Sequence, residues 1–213
     1  MNDQQQAFER VLSLIDEAGC QDYLVLIGSW AEFVWRESGL LDGFNPNIRT
    51  LDVDFLVKNL RRPDPPVSLA AIAQQRGFIV ESDRLDGTTK ILDLSGLEVE
   101  FLIGKRGAGI EPALKTNVGV TAQTLRHLEI LLHNTIVLTC LGHSVTVPEP
   151  EAYALHKMII NRQRKGKATK DAQAVVDLWP YLDYAKLNDL GDSLSKNERA
   201  AVEAFKDAHY LEP

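Results

Sequence analysis

The chain has 213 residues and a mass of 23.7 kDa, enough for one domain or one domain with a small appendage. Its 45% hydrophobic content is that of a soluble globular protein, and its formal net charge of −7 argues against a general polyanion binder. Cys20 and Cys140 lie far apart without metal-ligand spacing, which predicts two buried free thiols in a reducing compartment. No segment has the pattern of a signal peptide or a membrane span, so we expect a cytoplasmic protein without a membrane partner.

The N-terminal part of the chain predicts two helices around one short strand. Within residues 1–19, apolar residues recur at i, i+3, i+4 and i+7, which is the stripe of a helix packed on a core: Phe8, Val11, Leu12 and Ile15. Residues 23–28 predict a buried strand, and Gly39 closes the helix that follows it.

The middle of the chain predicts strands interrupted by a helix. Residues 50–57 and 90–104 predict strands, the second segment as a pair around a Ser95-Gly96 turn, and residues 67–78 predict a helix. A glycine-rich loop at residues 104–112 follows.

The last third of the chain changes character. Residues 121–134 predict a helix and residues 135–148 predict a hairpin, after which all patterns are helical. We therefore predict an α+β fold, with strands and helices mixed in an α/β domain at 1–147 and a helical C-terminal subdomain at 148–213.

Two aspartates share one face of the predicted strand at 50–57. Asp52 and Asp54 are two residues apart, so their side chains lie on the same side while Val53 and Phe55 take the other. Two adjacent negative charges on a strand favour a bound cation, and a carboxylate pair suits Mg²⁺. The alternative interpretation is an exposed strand face that is acidic by chance.

A second acidic strand follows at residues 97–103. Glu98 and Glu100 share one face of it, and a glutamate can join the two aspartates if the strands are neighbours. Three carboxylates around a metal pair suit in-line phosphoryl or nucleotidyl transfer. A solvated acidic face remains the alternative.

A strand leads directly into Gly28, Ser29 and a helix. Backbone N–H groups at a helix N-terminus favour a bound phosphate. Ser29 with Glu32 also has the spacing of a capping box, which needs no ligand.

The order of these segments resembles the nucleotidyltransferase superfamily of the DNA polymerase beta type. The motifs of that superfamily, hG[GS], [DE]h[DE] and h[DE]h, match Ile27-Gly28-Ser29, Asp52-Val53-Asp54 and Val99-Glu100-Phe101. The resemblance implies catalytic and metal-binding roles for Asp52, Asp54 and Glu100, with Glu98 as the rival third acid. It also implies a small mixed β-sheet flanked by helices, nucleotide phosphates held by Gly28 and Ser29, and Mg²⁺ or Mn²⁺ as the cofactor.

The helical tail is similar to that of a bacterial, uncharacterised nucleotidyltransferase-like subgroup with an N-terminal glycine–serine motif. A P-x-P there leads into a helix with His-Lys, a basic stretch and Lys-Asp. Lys157, Asn161 and Arg164 are spaced i, i+4 and i+7, so we predict that Lys157 points away from the core toward a triphosphate. Lys170 is a further nucleotide-binding candidate, or forms a helix-start ion pair with Asp171.

Residues 161–170 form a basic segment in an acidic protein. They carry a charge of +5, so the remainder of the chain carries −12 when the total is −7. Such a patch suits a polyphosphate, and a solvated turn between helices is the alternative. The basic residues are Arg162, Arg164, Lys165, Lys167 and Lys170.

The other polar and aromatic residues predict no separate site. The five histidines form no zinc motif, and we expect His156 on a helix surface. Trp30, Trp35 and Trp179 are expected as core anchors.

Together these patterns predict a metal-dependent nucleotidyltransferase that moves a nucleoside monophosphate from a nucleoside triphosphate to an acceptor. RNA, protein and small molecules remain open as acceptors, as do the base preference and the oligomeric state. Two alternatives remain: a toxin-type enzyme that modifies transfer RNA, and a catalytically inactive module of the same fold that binds a nucleotide or a partner protein.

Overall fold

The computed structural model describes residues 3–46, 50–58, 63–64, 66–105, 112–164 and 166–212. Most of the predicted loop at 104–112 lies outside these ranges, as does Lys165. The described helices are α1 (Asp3–Glu17), α2 (Ser29–Glu37), α3 (Leu69–Gln75), α4 (Glu129–His133), α5 (Pro150–Ile160), α6 (Ala168–Leu178), α7 (Tyr184–Asp192) and α8 (Lys196–His209). The described strands are β1 (Leu24–Ile27), β2 (Asp52–Val57), β3 (Ile79–Ser82), β4 (Thr89–Leu92), β5 (Glu98–Gly104), β6 (Ala113–Lys115), β7 (Thr121–Leu125), β8 (Thr135–Cys140) and β9 (His143–Pro148).

Seven of the described strands form one mixed sheet, and β8 and β9 form a separate hairpin. Strand β5 lies at the centre, parallel to β2 on one side, and on the other side antiparallel to β4 and parallel to β7. Strand β1 is antiparallel to β2 at one edge. The predicted α+β fold, with a mixed sheet, flanking helices and a helical C-terminal segment, is confirmed.

The two faces of the sheet differ because polar and apolar residues alternate along β2 and β5. Val53, Phe55, Val99 and Phe101 belong to the main hydrophobic core. The opposite face carries the acidic residues and, further along, a smaller apolar cluster of Val25, Ile27, Leu56, Leu102, Leu128 and Leu131. Alternation with period two thus separates the acids from the main core.

The main core contains the anchors that the sequence predicted. The predicted stripe of α1 is buried, and Trp30 stacks on Phe8 with ring centroids 4.1 Å apart. Trp35 and Trp179 are also buried, and both cysteines are buried free thiols. The predictions for α1, for the tryptophans and for the thiols are confirmed.

One predicted element is wrong. Residues 121–134 were expected as one helix, but residues 121–125 form β7 and only 129–133 are helical. Strand β7 pairs with both β5 and β6, so tertiary hydrogen bonding overrides the local preference of this segment. Strands β3 and β6 were not predicted.

The C-terminal helices pack around α5. Pro150 occupies the first turn of α5, and nearly every side chain of this helix is buried because α6, α7 and α8 contact it. One hydrophobic cluster includes residues from α1 to α8, and the division at 147 stays a prediction. None of the described helices is long and apolar enough to cross a membrane; the cytoplasmic location stays a prediction.

Candidate active site

The four acidic residues of β2 and β5 form a block on one face of the sheet. The parallel register places Asp54 opposite Glu100 and Asp52 opposite Glu98. Directly opposite residues of paired strands point to the same face. The structure therefore brings together the carboxylates that the sequence predicted as neighbours.

Gly28 lies against Asp54 at the end of β1. Its φ is +73°, and a Cβ at this position would lie 2.7 Å from the Asp54 carboxylate oxygen Oδ2. Glycine satisfies both the backbone conformation and the close approach. Gly28 precedes α2, whose first residue is Ser29, so the helix N-terminus adjoins the acidic block.

The predicted capping box at this helix is wrong. Gly28 is the N-cap residue, and in the described part of the chain no side chain forms a capping hydrogen bond at this helix. Glu32 is instead buried and accepts a hydrogen bond from the Tyr153 hydroxyl of α5. Burial raises the pKa of Glu32, and the hydrogen bond from Tyr153 opposes that shift.

The environment of Asp54 disfavours the negatively charged form of its carboxyl group. Burial, followed by the nearby charges of Glu100 and Asp52, raises the pKa of Asp54 to about 6. Lys167 and Arg164 oppose this shift. Excess negative charge around a buried carboxylate is the condition that a bound cation relieves.

Lys90 of β4 contacts both glutamates. Its Nζ forms an ion pair with Glu98 and lies 2.7 Å from Glu100 Oε1. The hydrogen bonds that Lys90 donates to Glu100 and Glu98 raise its pKa. No local sequence pattern indicated this contact, because it depends on the antiparallel register of β4 against β5.

The arrangement of the acidic side chains on β2 and β5 only partly matches a metal-binding site. Among the described residues, no group of three histidine, cysteine or acidic side chains is arranged to hold one. Asp52 and Asp54 are adjacent on one face and provide the hard oxygen donors that Mg²⁺ prefers. Glu100 lies beside Asp54, but Lys90 already binds its carboxylate.

A cleft of about 400 Å³ opens beside this acidic block. Gly28, Asp54 and Glu100 line one part of it, and α5 with the segment after it lines another. The basic and imidazole side chains around the cleft are Arg126, His127, His156, Lys157, Arg164 and Lys167. A carboxylate region and a cationic region therefore share one cavity.

The structure places Lys157 in the interior, whereas the sequence predicted that it points away from the core. It is buried, and its Nζ lies 2.6 Å from Asp171 Oδ1 of α6. Arg164 Nε lies 3.2 Å from the other oxygen of Asp171. The prediction that Lys157 points away from the core is wrong because Asp171 holds it inside. Lys157 still lines the cleft, and its role toward a triphosphate stays a prediction.

Only some of the basic residues at 161–170 line the cleft. Arg164 and Lys167 line it, and Lys167 Nζ lies 3.9 Å from Asp52 Oδ2. The other two described candidates, Arg162 and Lys170, are exposed and outside the lining residues. Ser29 is partly buried and also lies outside the lining residues.

His156 was expected on a helix surface, and this is wrong. It is 8% exposed and lines the cleft. Burial, followed by the charges of Lys157, Arg164 and His127, lowers the pKa of His156 to about 3. Sequence reasoning missed it because α5 is enclosed on several sides.

His127 and Arg126 were also missed. Both lie between β7 and α4, where a helix was predicted. His127 has a φ of +63° and its Nδ1 lies 2.8 Å from Glu198 of α8. The contact ties the far side of the cleft to the C-terminal helices.

Comparison with known families identifies the chain. The model of a family described as "Nucleotidyltransferase" matches residues 6–196, which include every element of the cleft. The chain belongs to the nucleotidyltransferase family. It is an enzyme of this class, whose general reaction is the transfer of a nucleoside monophosphate. No curated protein sequence gives a significant match.

Solved structures support the nucleotidyltransferase fold. An antigenic nucleotidyltransferase-like protein from Paracoccidioides brasiliensis superposes with a TM-score of 0.53 and 15% identity, over 96% of this chain and 88% of that one. The solution structure of the antibiotic-resistance factor ANT(2'')-Ia gives 0.53 and 16%, over 100% of both chains. ANT(2'')-Ia in complex with adenylyl-2''-tobramycin gives 0.50 and 12%, over 98% and 99%. At these identities the likeness concerns the fold.

Proposed function

We propose that this nucleotidyltransferase binds a nucleoside triphosphate with a divalent cation in the cleft and transfers the nucleoside monophosphate to an acceptor. The observation that carries the proposal is the division of the cleft. Carboxylates of β2 and β5 lie at one part of its wall, and cations of α5 and the following segment lie at another. A metal–triphosphate complex carries the complementary charges.

Asp52 and Asp54 would hold Mg²⁺ or Mn²⁺, with Glu100 as the third catalytic carboxylate. When bound, the cation orients the phosphates and neutralises charge in the transition state. The raised pKa of Asp54 supports this assignment, because a cation removes the repulsion that raises it. Glu98 lies opposite Asp52 rather than Asp54, and it is paired with Lys90.

The triphosphate would lie between α2 and α5. The backbone N–H groups around Gly28 and Ser29 lie at the N-terminus of α2, where they favour a phosphate. Lys157 and Arg164 line the cleft, and Lys170 is an exposed cation further along. Asp171 holds both Lys157 and Arg164 and thereby fixes their positions.

ATP is the first donor to test, because one fold neighbour was solved with an adenylyl-tobramycin. The acceptor is to be found among RNA, protein and small molecules. The protein would be incubated with Mg²⁺, α-labelled triphosphates and each of these fractions of a cell extract. Label in one fraction identifies the acceptor class, and pyrophosphate release identifies the reaction.

A double variant, Asp52→Ala with Asp54→Ala, tests the role of the carboxylates. We expect it to abolish labelling and to retain the folded circular dichroism spectrum. The matched control is Asp189→Ala with Asp192→Ala, which removes the same charge from the exposed surface of α7. Full labelling by the Asp52/Asp54 variant would refute the proposal.

A further inference from the structure

Lys90 occupies a position beside the candidate metal site that no motif indicates. It lies opposite Glu100 across the β4–β5 pair, and Glu100 in turn lies opposite Asp54 across the β5–β2 pair. Lys90, Glu100 and Asp54 thus form one row across three strands on one face of the sheet. A fixed positive charge stands at the end of a row of carboxylates.

The ammonium group of Lys90 binds both glutamates of β5. It donates a hydrogen bond to Glu98 and forms an ion pair with Glu100 at 2.7 Å. Two-metal sites place their ions about 3.5–4 Å apart, each bound to carboxylate oxygens. Lys90 Nζ binds the Oε1 oxygen of both Glu98 and Glu100, so a positive charge already lies where a second ion would bind these glutamates.

We propose that Lys90 replaces one of two metal ions, so that this site binds a single divalent cation at Asp52 and Asp54. The inference rests on the proposed function. Lys90 is a positioning residue that holds Glu100 beside Asp54 and neutralises part of the glutamate charge. A second divalent ion beside Glu100 would be repelled by the ammonium group and would have to displace it.

The stoichiometry of Mn²⁺ binding tests this assignment. Protein with a saturating non-hydrolysable ATP analogue would be titrated with Mn²⁺, and bound and free ion would be distinguished by electron paramagnetic resonance. We expect one Mn²⁺ per protein for the wild type. We expect two for Lys90→Met, because the freed carboxylates of Glu98 and Glu100 become available.

Two further variants separate charge from general disturbance of the sheet. Lys90→Arg keeps the cation, so we expect one Mn²⁺ per protein. Lys115→Met removes an exposed lysine from β6 of the same sheet, and we also expect one. Each variant would be checked by its circular dichroism spectrum and melting temperature.

The outcomes distinguish this inference from the proposed function. No Mn²⁺ bound by the wild type with nucleotide present would contradict the proposed function itself. Two Mn²⁺ per wild-type protein, a result that needs no variant, would overturn only the role of Lys90. One Mn²⁺ in a folded Lys90→Met variant would do the same.

Discussion

Gly28 and Asp54 are in such close contact that the glycine has no room for a side chain. A Cβ on Gly28 would lie 2.7 Å from Asp54 Oδ2. Gly28, which follows β1, and Asp54 of β2 are thus in direct contact, although they are distant in sequence. The turn that presents the α2 N-terminus also sets the position of a candidate metal ligand.

Gly28→Ala should therefore displace Asp54 and remove nucleotidyl transfer. The positive φ adds a backbone cost of about 1–3 kcal/mol to the free energy of folding. Gly77→Ala is the matched control, because Gly77 also has a positive φ but has open space around it. Denaturant unfolding and a transfer assay would be measured for both. Equal activity in the two variants would contradict a role for the Gly28–Asp54 contact.

Asp54→Asn should stabilise the metal-free protein while abolishing transfer. The pKa of Asp54 is raised to about 6, so the folded state is destabilised as pH rises from about 4 through 6. Removing that charge should add up to about 3 kcal/mol to the free energy of unfolding at pH 7.5. The gain should be absent near pH 3.5. Urea unfolding of wild type and variant at the two pH values would measure it, and a variant less stable at both would contradict the prediction.

His156 should stay neutral throughout the physiological range. Its pKa is lowered to about 3, so the stability it contributes is complete above about pH 6.5 and is lost as pH falls toward 3. Imidazole ¹⁵N chemical shifts, assigned by loss of the signal in His156→Gln, should not change between pH 8 and pH 5. A titration midpoint near pH 6.5 would show that the ring is not enclosed as described.

Replacing the ion pair between Lys157 and Asp171 with an uncharged pair should preserve most of the stability of the fold but not nucleotide binding. Lys157→Met leaves Asp171 buried with Arg164 as its remaining partner, and we expect a loss of about 3 kcal/mol in unfolding free energy. Adding Asp171→Asn should recover most of that loss. Neither variant should bind the triphosphate as the wild type does, as measured by calorimetry. Wild-type affinity in the double variant would assign Lys157 a purely structural role.

Local patterns in the sequence were sufficient for the acidic strands. Alternation of Asp52 and Asp54 with Val53 and Phe55 has period two, and this determines which face each side chain takes. The prediction of a shared acidic site required β2 and β5 to be neighbours. Local patterns do not determine which strands pair, because pairing depends on the whole chain. The structure satisfies that condition with Asp54 opposite Glu100.

The cationic part of the cleft was less predictable because it depends on contacts between distant segments. Lys157 has the spacing of an outward-facing residue, but Asp171 of α6 binds it in the interior. His156 is enclosed because neighbouring elements surround α5. Outside the lining of the cleft, Lys90 contacts Glu100 only through the register of β4 and β5. None of these contacts leaves a periodic signal in the sequence.

The position of a bound metal tests the central proposal most directly. A crystal of the protein with Mn²⁺ and a non-hydrolysable ATP analogue would give an anomalous difference map at the manganese edge. We predict a peak between the carboxylates of Asp52 and Asp54, with the triphosphate extending toward Lys157 and Arg164. A well-ordered analogue in the cleft with no manganese peak beside these aspartates would contradict the proposal.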